Sequence, residues 1–505
     1  MIVNQTELLK PLYNYTILKD IALDESVTSL TNDSRKITPG CGFIAIQGEQ
    51  FDGHRVLAEV IEAGARLIIV EKKPKNIESL NATIVHVPST VKAQAILGNQ
   101  FYQEPSKKMD VVAVTGTNGK TTITHMINFM LERIGHRTGL IGTVQYKIDQ
   151  QILPAINTTP DSLSLQQMYH QMVEASCQDV LLEASSHALM LGRLWYTSVN
   201  CAIFTNLTRE HLDFHKTMDG YAQAKSLLFS QLGQQFNVGR APLAIINQDD
   251  GAGELMSAVT SADIVTYSLQ DKGATAYAHS ITSSSGRTDF VMEFQGESYE
   301  VMIPVRGSYN VSNFLASCLC LVYYYDYDVT KVIEMMQHFE GVSGRMQSIQ
   351  EGQPYEVIVD FAHTTDALER VLSELVAHKS DNQRLITLMG HSGGNRDSEA
   401  RPELGNILFK YSDLVILTAD NPRYEDVTKI CQEMIGSHND KAYHIVVDRK
   451  EAIQFAVDQA QTNDILVFLG KGGEPYQVIE NQYLPYDEAS VVRQTIQDKL
   501  SKSEG

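Results

Sequence analysis

The apolar, largely β-branched run Val111-Val112-Ala113-Val114-Thr115 passes directly into Gly116-Thr117-Asn118-Gly119-Lys120-Thr121-Thr122, and this junction constrains the chain more than any other stretch. It reads as a buried strand, a glycine-bounded turn and a helix running from Thr121 to about Gly135. Gly116 and Gly119 let the backbone curl so that its N–H groups face an anion, and the helix adds the positive end of its dipole. Lys120 would then offset charge on β- and γ-phosphates while the Thr121 hydroxyl ligates Mg²⁺; Thr117, Asn118 and Thr122 belong to the same loop. The predicted ligand is ATP. The spacing G-x-x-G-K-T-T is tighter than the common G-x-x-x-x-G-K-[ST], so generic P-loop expectations do not transfer unchanged. A glycine turn with a surface lysine is the plainer alternative, but it needs neither a buried strand before it nor two hydroxyls at the helix start.

At 505 residues the chain exceeds the length of about 250–300 residues at which a single core stops growing. We expect three α/β domains: 1–105, small, with strands at Ile44-Ala45-Ile46 and Arg66–Val70; 106–343, built on the phosphate loop; and 344–505, Rossmann-like. Apolar strands at Val180–Leu182, Ala202–Phe204 and Ala244–Ile246 alternate with helical stretches, so the central unit should be a doubly wound, mostly parallel sheet with its ligands beyond the carboxyl ends of the strands. The net charge of −20 disfavours nonspecific nucleic-acid binding, and no run is apolar enough to cross a bilayer. A cytoplasmic protein is expected, with its six cysteines reduced.

Several polar groups stand where such a sheet would bind ligands. Glu183 emerges from the apolar strand that ends in Leu181-Leu182, and a Mg²⁺ shared with ATP explains it better than a solvated face does. Asn157-Thr158-Thr159-Pro160-Asp161 reads, on chemistry alone, as a helix N-cap. His211 and Lys225 would each ordinarily be a satisfied structural group and a snorkelling lysine. Asn310 and Asn313 are spaced to share one helix face. Thr31–Arg35 and Phe51–His54 suit either a small polar ligand or turns and caps. Near the C-terminus Arg396, Asn421, Arg423, Gly470 and Glu474 fit a zwitterion with an extra carboxylate and a distal amine, or else surface ion pairs.

Taken in order, these motifs resemble the Mur ligases, the ATP-dependent amino-acid-adding enzymes of peptidoglycan synthesis. The segments that carry the resemblance are D-S-R-K with D-G-H, G-T-N-G-K-T-T, T-T-P-D, E-A-S-S-H-A-L, the His211 and Lys225 segments, G-R at 344–345, D-F-A-H at 360–363, D-N-P-R at 420–423 and G-K-G-G-E at 470–474. The resemblance implies that Ser34, Thr158, Thr159, Ser185 and Arg193 contact a UDP-muramoyl substrate. It implies that Asn310, Arg345, Asp360 and His363 join the ATP site, and that His211 and a carbamylated Lys225 form a second magnesium site beside Thr121 and Glu183. Lys120, Lys225, His211 and Arg345 would carry the chemistry.

The implied branch is the MurE type, which adds a diamino acid to UDP-N-acetylmuramoyl-L-alanyl-D-glutamate through an acyl phosphate, with ATP and Mg²⁺, as a monomer. Arg423 in D-N-P-R favours meso-diaminopimelate, since lysine-adding relatives often have alanine there. Ser343 stands where proline is commoner, and Gly473 where diaminopimelate enzymes commonly have histidine; Tyr424 is not a usual neighbour of Arg423. L-Lysine is the alternative. A P-loop switch ATPase would not need Thr158, Thr159, Glu183, His211 and Lys225 together, and a noncatalytic paralogue would have lost some of them.

Overall fold

Alternate side chains of the strand Asp110–Thr115 feed two different cores: Val112 and Val114 pack with the helix Lys120–Arg133, while Val111 and Ala113 face the helices Ser162–Glu174 and Met218–Gln231. A strand covered on both faces has no polar side to alternate with, which is why this sequence reads as a continuous apolar run. The computed structural model describes residues 1–505 apart from 22, 49–50, 234–239, 285, 378, 381, 395–397, 439–440, 481 and 504–505.

Asp110–Thr115 lies in an eleven-stranded sheet between Asp179–Glu183 and Cys201–Phe204. From Thr138–Ile141 to Ala276–Ser284 the neighbours run parallel, so their carboxyl ends open on one side. Both edges are antiparallel: Gln145–Ile148 with Gln151–Pro154, and a wing of Arg287–Phe294 and Glu297–Ile303 in which buried and exposed positions alternate. The helix after the phosphate loop begins at Lys120 and ends at Arg133, with Gly135 in the left-handed conformation (φ +90°) that closes helices.

Residues before this unit form a five-stranded sheet that includes Gly42–Ile44 and Leu67–Val70. Its core is completed by Leu163, from the first turn of the helix Ser162–Glu174, so the two units share apolar side chains. The last unit is a six-stranded sheet in which an antiparallel edge, Gln347–Ser348, precedes five parallel strands. Its strands Glu356–Asp360, Leu385–Met389, Leu414–Leu417 and Ile465–Leu469 each end just before a motif singled out from the sequence. All six cysteines are buried and free.

Candidate functional site

The phosphate loop is splinted by residues that follow the strand Cys201–Phe204. Thr205 Oγ1 donates to the Asn118 carbonyl (2.6 Å), the Asn118 N–H donates to Asn206 Oδ1 (2.9 Å), and the Thr117 N–H donates to the Asn206 carbonyl (2.9 Å). Gly116 (φ +147°) lies so close that a Cβ there would stand 1.8 Å from Thr205 Oγ1; one at Gly119 (φ +91°) would stand 2.6 Å from Asn313 Oδ1. Lys120 Nζ donates to the carbonyls of Gly116 (2.9 Å) and Thr117 (2.8 Å). Burial pushes its pKa down, Glu210 and Glu183 oppose that, and Arg345 adds to it.

Beside the loop a cleft of about 450 Å³ runs between the central and last units, lined by Asn118, Thr122, Asn310, Asn313, Arg345 and Asp360 among others. Asn313 Nδ2 donates to Asn310 Oδ1 (3.1 Å), as their one-turn spacing requires. Asp360 accepts the N–H groups of Met346 (2.6 Å) and Ala362 (2.7 Å), and burial raises its pKa. His363 is exposed, its Nδ1 2.9 Å from the Phe361 carbonyl.

Glu183 is 0% exposed. Its carboxylate accepts from Thr121 Oγ1 (3.1 Å), the Thr143 N–H (2.9 Å) and Thr143 Oγ1 (2.9 Å), and no cation pairs with it among the described residues. A buried carboxylate with only neutral donors fits a hard divalent cation, which would supply the missing charge. The Thr158 and Thr143 hydroxyls are 3.1 Å apart, Thr159 Oγ1 donates to the Glu183 carbonyl (2.6 Å) and lies 3.1 Å from Ser185 Oγ, and Arg193 donates to the Thr159 carbonyl (2.8 Å). Asp161 caps the next helix. Sequence reading missed Thr143, which reaches the site from the turn between Thr138–Ile141 and the antiparallel strand Gln145–Ile148 and carries no motif. Gly142 beside it has no room for a side chain, since a Cβ would meet Glu183 Oε1 at 2.3 Å.

A second group gathers around Tyr221. Lys225 is 1% exposed, its Nζ lies 4.3 Å from the Tyr221 ring centre, and no carboxylate pairs with it among the described residues. Burial, with Lys120 nearby, holds its amine well below the ordinary lysine range. His211 (φ +57°) has its Nε2 3.5 Å from Glu210 and its ring 4.7 Å from that of His187; burial brings its pKa down to about 4. Burial raises the Glu210 carboxyl, but His211, Lys120, His363 and Lys225 together hold it below the usual range. Glu210, which adjoins His211 in the sequence, belongs to this group as well. The four metal candidates thus fall into two groups, Thr121 with Glu183 and His211 with Lys225, and Lys120 feels a carboxylate of each.

In the last unit Lys471 is 0% exposed and donates to Asn421 Oδ1 (2.8 Å) and Glu474 (2.8 Å). Asn421 Nδ2 also donates to Glu474 (3.0 Å). Among the described residues the buried Nε of Arg423 (φ +54°) has no partner, while Glu425 is engaged with Arg401 (2.7 Å) and Glu474 with Lys471. Lys471 and Arg401 were not foreseen, because a lysine between glycines and an arginine in a helix carry no distinguishing spacing. Arg396 lies outside the described residues.

Gly470 takes φ +91°. The turn at Gly344 (φ +68°) packs backbone to backbone on Gly472-Gly473: a Cβ on Gly344 would stand 1.9 Å from the Gly473 nitrogen, and one on Gly473 would stand 2.7 Å from the Ser343 carbonyl. Arg345 next to it donates to Thr121 Oγ1 (3.3 Å) and stacks 4.5 Å from the Phe361 ring.

In the first unit Asp33 binds Arg35, and Asp52 binds His54 and Lys72, so both aspartates are spent within the domain. Ser34 is half-buried, and its hydroxyl makes no hydrogen bond among the described residues.

Family models match in three stretches: the Mur ligase family catalytic domain over residues 26–102, the Mur ligase middle domain over 114–321 and the Mur ligase glutamate ligase domain over 344–472. The UDP-N-acetylmuramoyl-L-alanyl-D-glutamate–2,6-diaminopimelate ligase of Bacillus cereus is 37% identical over 478 residues, covering 95% of this chain and 96% of the relative. The enzyme of the same name from Listeria monocytogenes is 36% identical over 475 residues, 94% of this chain and 95% of the relative. A solved structure of a ligase of that name is 32% identical, covers 99% of this chain and 100% of its own, and superposes with a TM-score of 0.66. The MurF ligase of Thermotoga maritima, solved with ADP, shares the fold at 17% identity, with a TM-score of 0.63 over 94% of this chain and 98% of its own.

His215 generates a pH prediction. Its Nε2 lies 2.9 Å from Ser186 Oγ and its ring stacks on Tyr221 at 5.0 Å; burial, then His187 and Lys225, take its pKa down to about 4. Below pH ~6.5 the unfolded chain protonates this imidazole, while the folded chain resists until about 4, so stability falls as pH drops through that window. One such proton is worth up to about 1.4 kcal/mol per pH unit. Thermal unfolding between pH 6.5 and 5 should therefore be less pH-dependent in His215→Gln than in the wild type, and equal slopes would contradict the assignment.

Proposed function

The chain belongs to the Mur ligase family, and from that premise we propose that it joins meso-diaminopimelate to UDP-N-acetylmuramoyl-L-alanyl-D-glutamate at the expense of ATP. The first unit (1–105) would hold the uridine end near Ser34, the second (106–343) ATP and the dipeptide, and the third (344–505) the incoming amino acid. The enzyme would act as a monomer in the cytoplasm, where ATP is available.

A carboxylate oxygen of the dipeptide's glutamate attacks the γ-phosphorus, and the bond to ADP breaks. The amine then adds to the acyl phosphate carbon, loses a proton, and phosphate leaves from the tetrahedral intermediate. Lys120 exchanges the carbonyls of its own loop for phosphate oxygens, and Arg345 brings a second cation from the other side of Thr121. Thr121 and Glu183 would hold Mg²⁺, which supplies further charge neutralisation of the phosphates. Thr158, Thr159, Ser185 and Arg193 adjoin Glu183, which supports their holding the reacting end of the dipeptide next to the γ-phosphate.

Lys225 supports a carbamate. Burial without an anionic partner among the described residues shifts this amine towards its neutral, nucleophilic form, whose nitrogen can add to CO₂ with loss of a proton. The product is an anionic oxygen ligand beside His211, suited to a second Mg²⁺. Lys225→Ala should lose most activity and regain part of it with added short carboxylic acids, assayed as phosphate release; loss without any rescue would count against the carbamate.

The observation that carries the choice of amino acid is Arg423, a half-buried cation whose neighbouring carboxylates are already paired. The distal carboxylate of diaminopimelate would complete it, and lysine would leave it unpaired. Phosphate release with the UDP-dipeptide and a panel of diamino acids should favour meso-diaminopimelate by about 30-fold or more. Arg423→Ala should lower kcat/KM for diaminopimelate at least about tenfold and narrow its advantage over lysine. A wild type that uses L-lysine well and ignores diaminopimelate would overturn this reading and give Gly473 and Tyr424 the greater weight.

A further inference from the structure

We propose that Asp366 is a positioning residue that latches the amino-acid-binding unit to the ATP loop, so that the amine attacks the acyl phosphate before water does. The inference rests on the ligase reading above. Asp366 is the second residue of the helix Thr365–Ala377, in its first turn. Its Oδ2 crosses to the central unit and accepts from Asn118 Nδ2 (3.0 Å) and from Thr208 Oγ1 (3.2 Å). Thr208 is itself fixed to the ATP loop, since its N–H donates to Thr117 Oγ1 (3.0 Å). One carboxylate therefore grips the loop twice, at Asn118 directly and at Thr117 through Thr208.

On its own helix Asp366 is held by Arg370, whose Nε lies 3.1 Å from Oδ2 and 3.2 Å from Oδ1. Arg370 lines the same cleft as Asn118 and Arg345, so the latch closes over the nucleotide. Asn118 and Lys120 are two residues apart on one turn, and any change in the loop when Lys120 moves onto phosphate reaches Asp366 through these two hydrogen bonds. The helix that receives it follows Asp360 and His363, at the same end of the sheet as Asn421 and Glu474.

A residue that only supported the fold would, when removed, lower phosphate release and tripeptide formation together. A latch that excludes water would uncouple them. The holoenzyme is assayed with ATP, Mg²⁺, the UDP-dipeptide and the diamino acid the wild type uses best, following phosphate and tripeptide in the same reaction. Each hydrogen bond to a charged group is worth roughly a factor of ten, so Asp366→Ala should lower the tripeptide kcat at least about tenfold. Its phosphate-to-tripeptide ratio should rise from near one to about two or more, because water takes the acyl phosphate.

Thr208→Val should show the same change more weakly, and should cost less than about twofold more when added to Asp366→Ala, since Asp366→Ala already removes the Asp366–Thr208 bond. Asp366→Asn, which keeps the shape without the charge, should fall between wild type and Asp366→Ala. Tripeptide formation within about twofold of wild type in Asp366→Ala, or a loss in which the ratio stays at one, overturns the latch. A wild type that makes no tripeptide with any diamino acid overturns the ligase reading instead.

Discussion

Glu183 is a wholly buried carboxylate that faces three neutral donors, and the central unit is arranged to tolerate it. Taking an ion out of water costs several kcal/mol even after relaxation. The cost is reduced here by Thr121 of the ATP loop and by both donors of Thr143, while Gly142 makes room for the carboxylate itself. Because Glu183 ends a parallel strand beside Asp110–Thr115, its side chain necessarily meets the start of the helix that follows the phosphate loop. The Thr158–Thr159 turn is drawn to the same point by the Glu183 carbonyl. A cation shared with ATP would balance this charge, and nucleotide, metal and dipeptide would then meet at one residue.

The last unit is tied to that centre by polar contacts: Arg345 on Thr121, and Asp366 on Asn118 and Thr208. Within the last unit a steric contact fixes the turn that carries Arg345. Gly344 and Gly472-Gly473 approach so closely that no side chain fits between them, so the turn that carries Arg345 and the loop that carries Glu474 are held by the same backbone contact. Ser343 and Gly473, two of the three departures noted from the sequence, lie against each other here.

The parts of this architecture legible in the sequence are those written in short, local patterns. The buried strands, the glycine turn at 116–119 and the asparagine pair at 310 and 313 depend on neighbours within one or two turns. So does the cap at Asp161, which the plain chemical reading had favoured for that motif. The helix began one residue before the expected Thr121 because Gly119, in a left-handed conformation, takes the cap position. What stayed illegible depends on distant partners. Thr143 acquires its role only when a hairpin edge folds beside Glu183, and Lys471 becomes a buried hub only once Asn421 and Glu474 surround it. Asp52 and His54 suit either a ligand or a turn, and the pairing of Asp52 with Lys72, twenty residues on, depends on a partner that no local pattern announces. Asp366 carried no signal, because its partners lie in another domain.

The proposed reaction requires one site to bring the dipeptide carboxylate onto the γ-phosphorus before any peptide bond forms. It is tested most directly by isotope transfer: the UDP-dipeptide is prepared with ¹⁸O in the reacting glutamate carboxylate and turned over with ATP and diamino acid in ordinary water. If that carboxylate attacks phosphorus, each phosphate released carries one ¹⁸O and the new amide keeps the other. Phosphate that emerges unlabelled, with both ¹⁸O atoms still in the carboxylate, would mean that ATP is hydrolysed by water and that the geometry around Glu183 serves some other end.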